Sequence, residues 1–96
     1  MIRVAVVDDK IYNRKVITDK LSRNNFFILS FQAVDGEDFL LQMRNIPEDD
    51  HPHIILMDLE MPHVDGVSAI GTASSLYPNI KFVVRTIFED DDKILR

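Results

Sequence analysis

The chain has 96 residues, of which 46% are hydrophobic and 28% charged, and its formal net charge is −5. This length suits one small domain with a single core, and the composition is that of an ordinary soluble globular protein. The lack of cysteine excludes disulfides and thiolate metal sites and favours a cytoplasmic location, and no apolar run is long enough to cross a membrane. The acidic balance argues against direct nucleic-acid binding by this segment.

Segments typical of strands and of helices alternate along the first half of the chain. Residues 3–7 predict a first strand, and residues 26–34, rich in aromatic and β-branched side chains, predict a second. Residues 11–21 between them predict a helix, because apolar positions recur there at helical spacing. The positions expected on its inner face are Tyr12, Val16, Ile17 and Leu21.

A second helix is expected to follow Asp35. Asp is a favoured N-cap residue, and the acids Glu37 and Asp38 in the first turn suit the positive end of a helix dipole. The polar, acidic residues 47–52 then form a loop before the next strand. The predicted core stripe of this helix consists of Phe39, Leu40 and Met43.

The second half of the chain continues the alternation. Residues 54–57 are apolar on both faces, as in a central strand of a parallel sheet covered by helices on both sides. Residues 66–76 predict a third helix, in which Gly71 costs up to ~1 kcal/mol relative to Ala, a cost that close packing on the sheet would explain. Residues 80–86 predict a fourth strand, and the acids at 89–92 the start of a fourth helix. The residues of the third helix that are expected to face inward are Val67, Ile70 and Ala73.

Acidic residues follow two of the predicted strands at the point where each strand ends. Asp58 ends the third strand, and Asp8 and Asp9 end the first, while Asp65 is an N-cap candidate for the third helix. A lone Asp would be expected merely to cap a turn. Because the carboxyl ends of parallel strands share one edge of a sheet, three carboxylates are expected together there, at the edge where ligands bind. Their repulsion is relieved by a shared hard cation, for which Mg²⁺ is the natural choice.

These motifs resemble the receiver domain of two-component response regulators. The resemblance lies in Val-Val-Asp-Asp at 6–9, Met-Asp-Leu-Glu-Met-Pro-His-Val-Asp-Gly at 57–66 and Val-Val-Arg-Thr at 83–86. It implies an α/β fold of the flavodoxin-like, doubly wound type, with a parallel sheet of order 2-1-3-4-5 and right-handed crossovers. Residues 1–96 are then expected to be the N-terminal part of a receiver that lacks the last strand and helix.

The resemblance also implies a role for each matching residue. Asp58 corresponds to the phosphoacceptor, and Asp9, Asp58 and the backbone carbonyl of Glu60 correspond to direct Mg²⁺ ligands. Asp8 corresponds to the acid that reaches the ion through water. Thr86 corresponds to the hydroxyl that moves toward the phosphoryl group.

Other positions correspond to residues that adjust the phosphorylated state, or differ from the residues usual in the receiver family. Glu60 and Phe88 correspond to positions that adjust the lifetime of the phosphoryl group. Arg85 stands where the family usually has an apolar residue. The family's phosphoryl-binding lysine belongs to the missing fifth strand, so phosphorylation from small donors is expected to be slow. Lys93 is a poor substitute for it, and Lys10 is expected to be solvated.

The expected partners are a sensor histidine kinase or a phosphotransfer protein, and a second copy of the chain in a homodimer, with no membrane contact. The segment at 86–92 resembles receivers with a C-terminal DNA-binding domain and hence a role in transcription, whereas Asn-Arg-Lys-Val at 13–16 resembles receivers of hybrid kinases. His51, His53 and His63 are expected to be solvated loop residues rather than a metal triad.

Two other functions remain open. The chain could be a binding module with a receiver fold that does not accept phosphate, because the family's lysine is missing. It could also be a small Mg²⁺-dependent phosphohydrolase, because Asp58 is followed two residues later by the acid Glu60. Pro62 and the short chain argue against that hydrolase. As a signalling receiver it would be no enzyme, beyond slow self-phosphorylation and self-dephosphorylation.

Overall fold

A parallel sheet lies at the centre of the fold, in a computed structural model that describes residues 1–58 and 66–85. Its described strands pair in the order β2-β1-β3-β4, with every neighbouring pair parallel. The predicted doubly wound receiver topology is therefore confirmed for this part of the chain. The strands are β1 (Ile2–Val7), β2 (Phe27–Ala33), β3 (Ile54–Asp58) and β4 (Lys81–Arg85). The helices are α1 (Ile11–Ser22), α2 (Gly36–Asn45) and α3 (Gly66–Leu76), and a short 3-10 helix spans Glu48–Asp50.

The strand β1 lies inside the sheet, between β2 and β3, and its last four residues are buried on both faces. Ala5 and Val7 belong to the core cluster on the face that α2 and α3 cover. Val4 and Val6 point to the opposite face because side chains alternate along a strand, and α1 packs there against β1 and β2. The sheet therefore has helices on both faces.

The helix α2 forms as its sequence predicts. Asp35 caps it, because its Oδ1 accepts a hydrogen bond from the backbone N–H of Asp38 at 2.7 Å. Phe39 and Met43 are fully buried, and Leu40 packs against the same cluster. The Phe39 ring lies 6.2 Å from the rings of Phe31, stacked, and Phe82, edge-on, which joins α2 to β2 and β4.

The predicted inner face of α1 is right for Ile17 and Leu21, which are half-buried, and wrong for Tyr12 and Val16. Tyr12 is 74% exposed and Val16 is also exposed, whereas Asn13 is buried and Ile17 half-buried. The spacing of the apolar residues indicated the wrong face at the start of α1, because the residue that faces the sheet there is polar. Asn13 is turned inward, where it donates a hydrogen bond to Asp8.

The predicted inner face of α3 is confirmed for Ile70 and Ala73 and wrong for Val67. Val67 is 64% exposed, and Ala69 and Ala73 are the residues that enter the core, with Ile70 packed beside them. A Cβ atom added to Gly71 would meet nothing within 4 Å. Close packing on the sheet therefore does not explain Gly71.

The strand β4 is the last strand of the described sheet on its side. Phe82 is half-buried against the core, but Val83 and Val84 are each close to half exposed. None of the helices in the described part of the chain has the length and hydropathy needed to span a bilayer.

Candidate functional site

Three carboxylates meet at the carboxyl edge of the sheet. Val7 of β1 pairs in register with Met57 of β3, so the residues that follow them, Asp8 and Asp58, lie side by side. One carboxylate oxygen from each of Asp8, Asp9 and Asp58 lies within 4.8 Å of the others. Asp8 and Asp58 are each 1% exposed, whereas Asp9 is only partly buried. The predicted acidic cluster is thus formed by the fold.

Asp8 is held by both its backbone and its side chain. Its N–H donates to the carbonyl of Ala33 at 3.0 Å, and its own carbonyl accepts from the Arg14 guanidinium at 2.9 Å. Its Oδ1 accepts two further hydrogen bonds, from the backbone N–H of Lys10 at 2.9 Å and from the side-chain amide of Asn13 at 3.4 Å. The carboxylate orientation of Asp8 is therefore fixed before any ligand binds.

Positive charge surrounds the acidic cluster. The helix α1 begins at Ile11, and the positive end of its dipole therefore lies beside the carboxylates. The Lys10 ammonium forms an ion pair with Asp9 at 3.2 Å. That hydrogen bond with Asp9, and then the negative charges of Asp9, Asp58 and Asp8, raise the pKa of Lys10. Lys10 was expected to be solvated; its side chain is 53% exposed yet bonded to the cluster.

The donor set fits a hard divalent cation. Carboxylate oxygens are the ligands that Mg²⁺ prefers in proteins, and the ion usually keeps several waters as well. A partly exposed Asp9 leaves one side of the cluster open to solvent. The arrangement can therefore hold Mg²⁺ with both protein oxygens and water.

Arg85 is described only through its backbone, which pairs with Asp58 between β4 and β3. Several other predicted positions lie outside the described residues. The structure thus brings together Asp8, Asp9 and Asp58 and gives no placement for the remaining predicted site residues. Those positions are Glu60, His63, Asp65, Thr86, Phe88, Lys93 and the acids at 89–92.

The histidines that the structure describes lie at the opposite edge of the sheet. The His51 ring donates through Nε2 to the carbonyl of Ile46 at 3.2 Å and packs edge-on against Tyr77, with ring centroids 5.2 Å apart. His53 is exposed, but its Nδ1 accepts from the backbone N–H of Arg3 at 2.9 Å. The prediction of solvated histidines is therefore wrong for His51. Neither belongs to a metal-ligating group within residues 1–58 and 66–85.

A cleft of about 660 Å³ also lies at that opposite edge, between the ends of α2 and α3. A cleft of this volume suits a small ligand. We nevertheless assign the site to the carboxylates, because converging charged ligand atoms indicate chemistry more directly than volume does.

Two residues that support the site were missed by reasoning from the sequence. Asn13 and Arg14 both bond to Asp8, and Arg14 also bonds to the side chain of Gln32 at 3.2 Å. The available signal was a polar residue at helical spacing from Ile17, on the face that packs against the sheet. The polar residue was overlooked because Tyr12 and Val16 also stand at helical spacing and are apolar.

Comparison with known proteins agrees with the fold. The chain is 37% identical over 91 residues to the response regulator GacA of Pseudomonas protegens, and 30% identical over 93 residues to an uncharacterized transcriptional regulatory protein, YxjL, of Bacillus subtilis. These matches cover 95% and 97% of this chain but only 41% of each relative.

The structure resembles a chain of the CheX–CheY–BeF3–Mg²⁺ complex from Borrelia burgdorferi. The TM-score is 0.81 at 20% identity, and the match covers 98% of this chain and 68% of that one. At this identity the likeness supports the fold alone. The family model of the response regulator receiver domain matches residues 4–96. The chain therefore belongs to the receiver domains of response regulators.

Proposed function

We propose that Asp58 accepts a phosphoryl group and that Asp8, Asp9 and Asp58 hold Mg²⁺ for this transfer. The observation that carries the proposal is the meeting of the three carboxylates within 4.8 Å at the ends of β1 and β3. Asp58 is buried at the end of β3, where a fixed carboxylate can be presented to a donor. Membership of the receiver family supports the same assignment.

The proposed chemistry requires no base. A carboxylate oxygen of Asp58 attacks the phosphorus of a phosphohistidine, the P–N bond breaks as the new O–P bond forms, and the imidazole leaves with the electron pair. The product on the chain is an acyl phosphate. Mg²⁺, when bound, supplies Lewis-acid neutralisation of the phosphoryl oxygens.

The chain's own residues orient this reaction. Asp9 and Asp58 would be direct ligands, together with the backbone carbonyl of Glu60, and Asp8 would reach the ion through water. The N–H of Lys10 holds Asp8 at its Oδ1. Thr86 would supply a hydroxyl to the phosphorylated state. The roles of Glu60 and Thr86 rest on the family resemblance.

We propose a sensor histidine kinase or a phosphotransfer protein as the donor, and the cytoplasm as the location of the chain. Self-association with a second copy is a further part of the proposal. Because the chain spans 41% of the length of GacA and YxjL, we propose that residues 1–96 are the N-terminal part of a receiver in a longer response regulator. We propose control of transcription as the output, which the name of YxjL supports. We propose no catalysis beyond self-phosphorylation and self-dephosphorylation.

Beryllofluoride, a phosphoryl mimic, tests the site without a kinase. In the presence of Mg²⁺ it should raise the melting temperature of the chain and shift the backbone NMR signals around Asp58. Asp58→Asn should abolish both effects. Asp19→Asn is the matched control, because Asp19 is an exposed acid on α1 paired with Arg23. An equal response of Asp58→Asn and the unaltered chain would refute the assignment.

A further inference from the structure

Within α1, all of which the structure describes, a single residue is buried, and that residue is the polar Asn13. Its exposed fraction is 8%, whereas the apolar neighbours Tyr12 and Val16 face solvent. A buried amide on the inner face of a helix costs free energy relative to an apolar side chain of similar size. Asn also has a lower helix propensity than Leu. Stability therefore does not account for an asparagine at this position.

The Asn13 side chain is directed at the acidic cluster. Its amide nitrogen donates to Oδ1 of Asp8 at 3.4 Å, and that same oxygen accepts the backbone N–H of Lys10 at 2.9 Å. The Lys10 bond is local, as in an Asx turn, and comes from the residue before α1 begins. The Asn13 bond comes from within α1. Asp8 is thus tied both to its own turn and to the helix.

We infer that Asn13 is a positioning residue for the metal site, one that fixes the carboxylate of Asp8 for its water-mediated contact with Mg²⁺. This inference rests on the proposed metal site. A carboxylate that is already oriented loses less conformational freedom when the ion binds, so the affinity for the ion is higher. Groups that orient the ligands of a metal typically change its affinity by about 10- to 100-fold when they are removed.

The substitution Asn13→Leu separates this role from a structural one. Leucine has the same number and branching of side-chain heavy atoms and a higher helix propensity, and it removes a buried amide. The free energy of unfolding without metal should therefore stay the same or rise. The affinity for Mg²⁺ should fall about 10-fold, because Asp8 would lose the Asn13 hydrogen bond on Oδ1. The affinity would fall without a loss of stability, which a general structural defect cannot produce.

The measurement is an NMR titration of the 96-residue chain with Mg²⁺ alone, combined with urea unfolding in the absence of metal. Thr18→Val is the matched control, since it removes a side-chain hydrogen bond to Lys15 from the same helix without touching Asp8. It should leave the Mg²⁺ affinity unchanged. Asn13→Ala is a second variant, which should weaken Mg²⁺ binding as Asn13→Leu does.

The outcomes separate this inference from the proposed function. If the unaltered chain binds no Mg²⁺, the proposed metal site fails, and the inference fails with it. If the unaltered chain binds Mg²⁺ and both Asn13 variants bind it equally well, only the inference is overturned. A loss of affinity in Thr18→Val as large as in Asn13→Leu would also overturn it, because the effect would then belong to α1 as a whole.

Discussion

Asp8 shows how one side chain serves both folding and function. Its Oδ1 accepts the N–H of Lys10, which stabilises the turn between β1 and α1, and it also contributes to the acidic cluster. A capping role alone would explain Asp8. It would not explain why Asp9 and Asp58 come within 4.8 Å of it. The cluster rather than any single Asp therefore carries the functional argument.

Metal binding can be tested through Asp9. Mg²⁺ should stabilise the fold, by about 1.4 kcal/mol when its concentration is ten times the dissociation constant. Asp9→Asn should remove most of this stabilisation, because it deletes one of the three negative charges of the cluster and alters a proposed direct ligand. Urea unfolding with and without Mg²⁺ measures the difference.

The control for this experiment is again Asp19→Asn, an exposed acid in an ion pair on α1. It should keep the full Mg²⁺ effect. If Mg²⁺ stabilises Asp9→Asn as much as the unaltered chain, the ion does not bind at this cluster.

At the scale of single residues, the sequence was sufficient for Asp8, Asp9 and Asp58, because acids directly after apolar strands are placed by the topology itself. It was insufficient for Asn13 and His51. Asn13 bonds to Asp8, and the His51 ring packs against Tyr77. Neither contact can be read from the hydrophobic pattern. Polar residues turned inward are the ones that a hydrophobic pattern misses.

At the level of helices and strands, the strand positions and helix bounds were predicted well. The residues that face the core were predicted only in part for α1 and α3. The inner face of α2 was correct because Phe39 and Met43 are large and Asp35 marks the start of the helix. In α3 the core positions are the small residues Ala69 and Ala73. In α1 the key position is Asn13. Large apolar residues such as Val67 and Tyr12 misled the prediction because they remain exposed.

The helix α3 offers a test of this corrected packing. Gly71 lies mid-helix, and an added Cβ atom would meet nothing within 4 Å. Gly71→Ala should therefore raise the free energy of unfolding by about 0.5–1 kcal/mol, since alanine restricts the unfolded chain and favours the helix. Thermal or urea unfolding would measure the change.

Ser74→Ala in the same helix is the comparison, because Ser74 is exposed and its replacement tests helix propensity with a smaller expected gain. A destabilised Gly71→Ala would mean that α3 packs more closely against its surroundings than the structure shows.

At the scale of the whole molecule, the sheet presents an outer edge along β4. β4 pairs with β3 on one side, and no strand of the described part of the chain lies on its other side. Val83 and Val84 are 48% and 47% exposed. Exposed apolar edge strands are templates for pairing with another chain, and small domains have little stability to spare.

We therefore expect the 96-residue chain to associate through the β4 edge rather than remain a stable monomer. Val83→Lys should weaken this association, because a charged side chain on an edge strand opposes pairing. Sedimentation over a range of concentrations measures it. Val67→Lys on α3, which replaces an equally apolar and more exposed residue, should not have this effect. A well-folded monomer at all concentrations would contradict the expectation.

We propose that Asp58 is the phosphoacceptor of a Mg²⁺-dependent receiver. The most direct measurement is to incubate the chain with a small phosphodonor and Mg²⁺, reduce the acyl phosphate with borohydride, and locate the modified residue by mass spectrometry. We predict a Mg²⁺-dependent modification at Asp58 that is absent from Asp58→Asn and greatly reduced in Asp9→Asn. A modification that persists in Asp58→Asn, or that forms equally well without Mg²⁺, would contradict the claim.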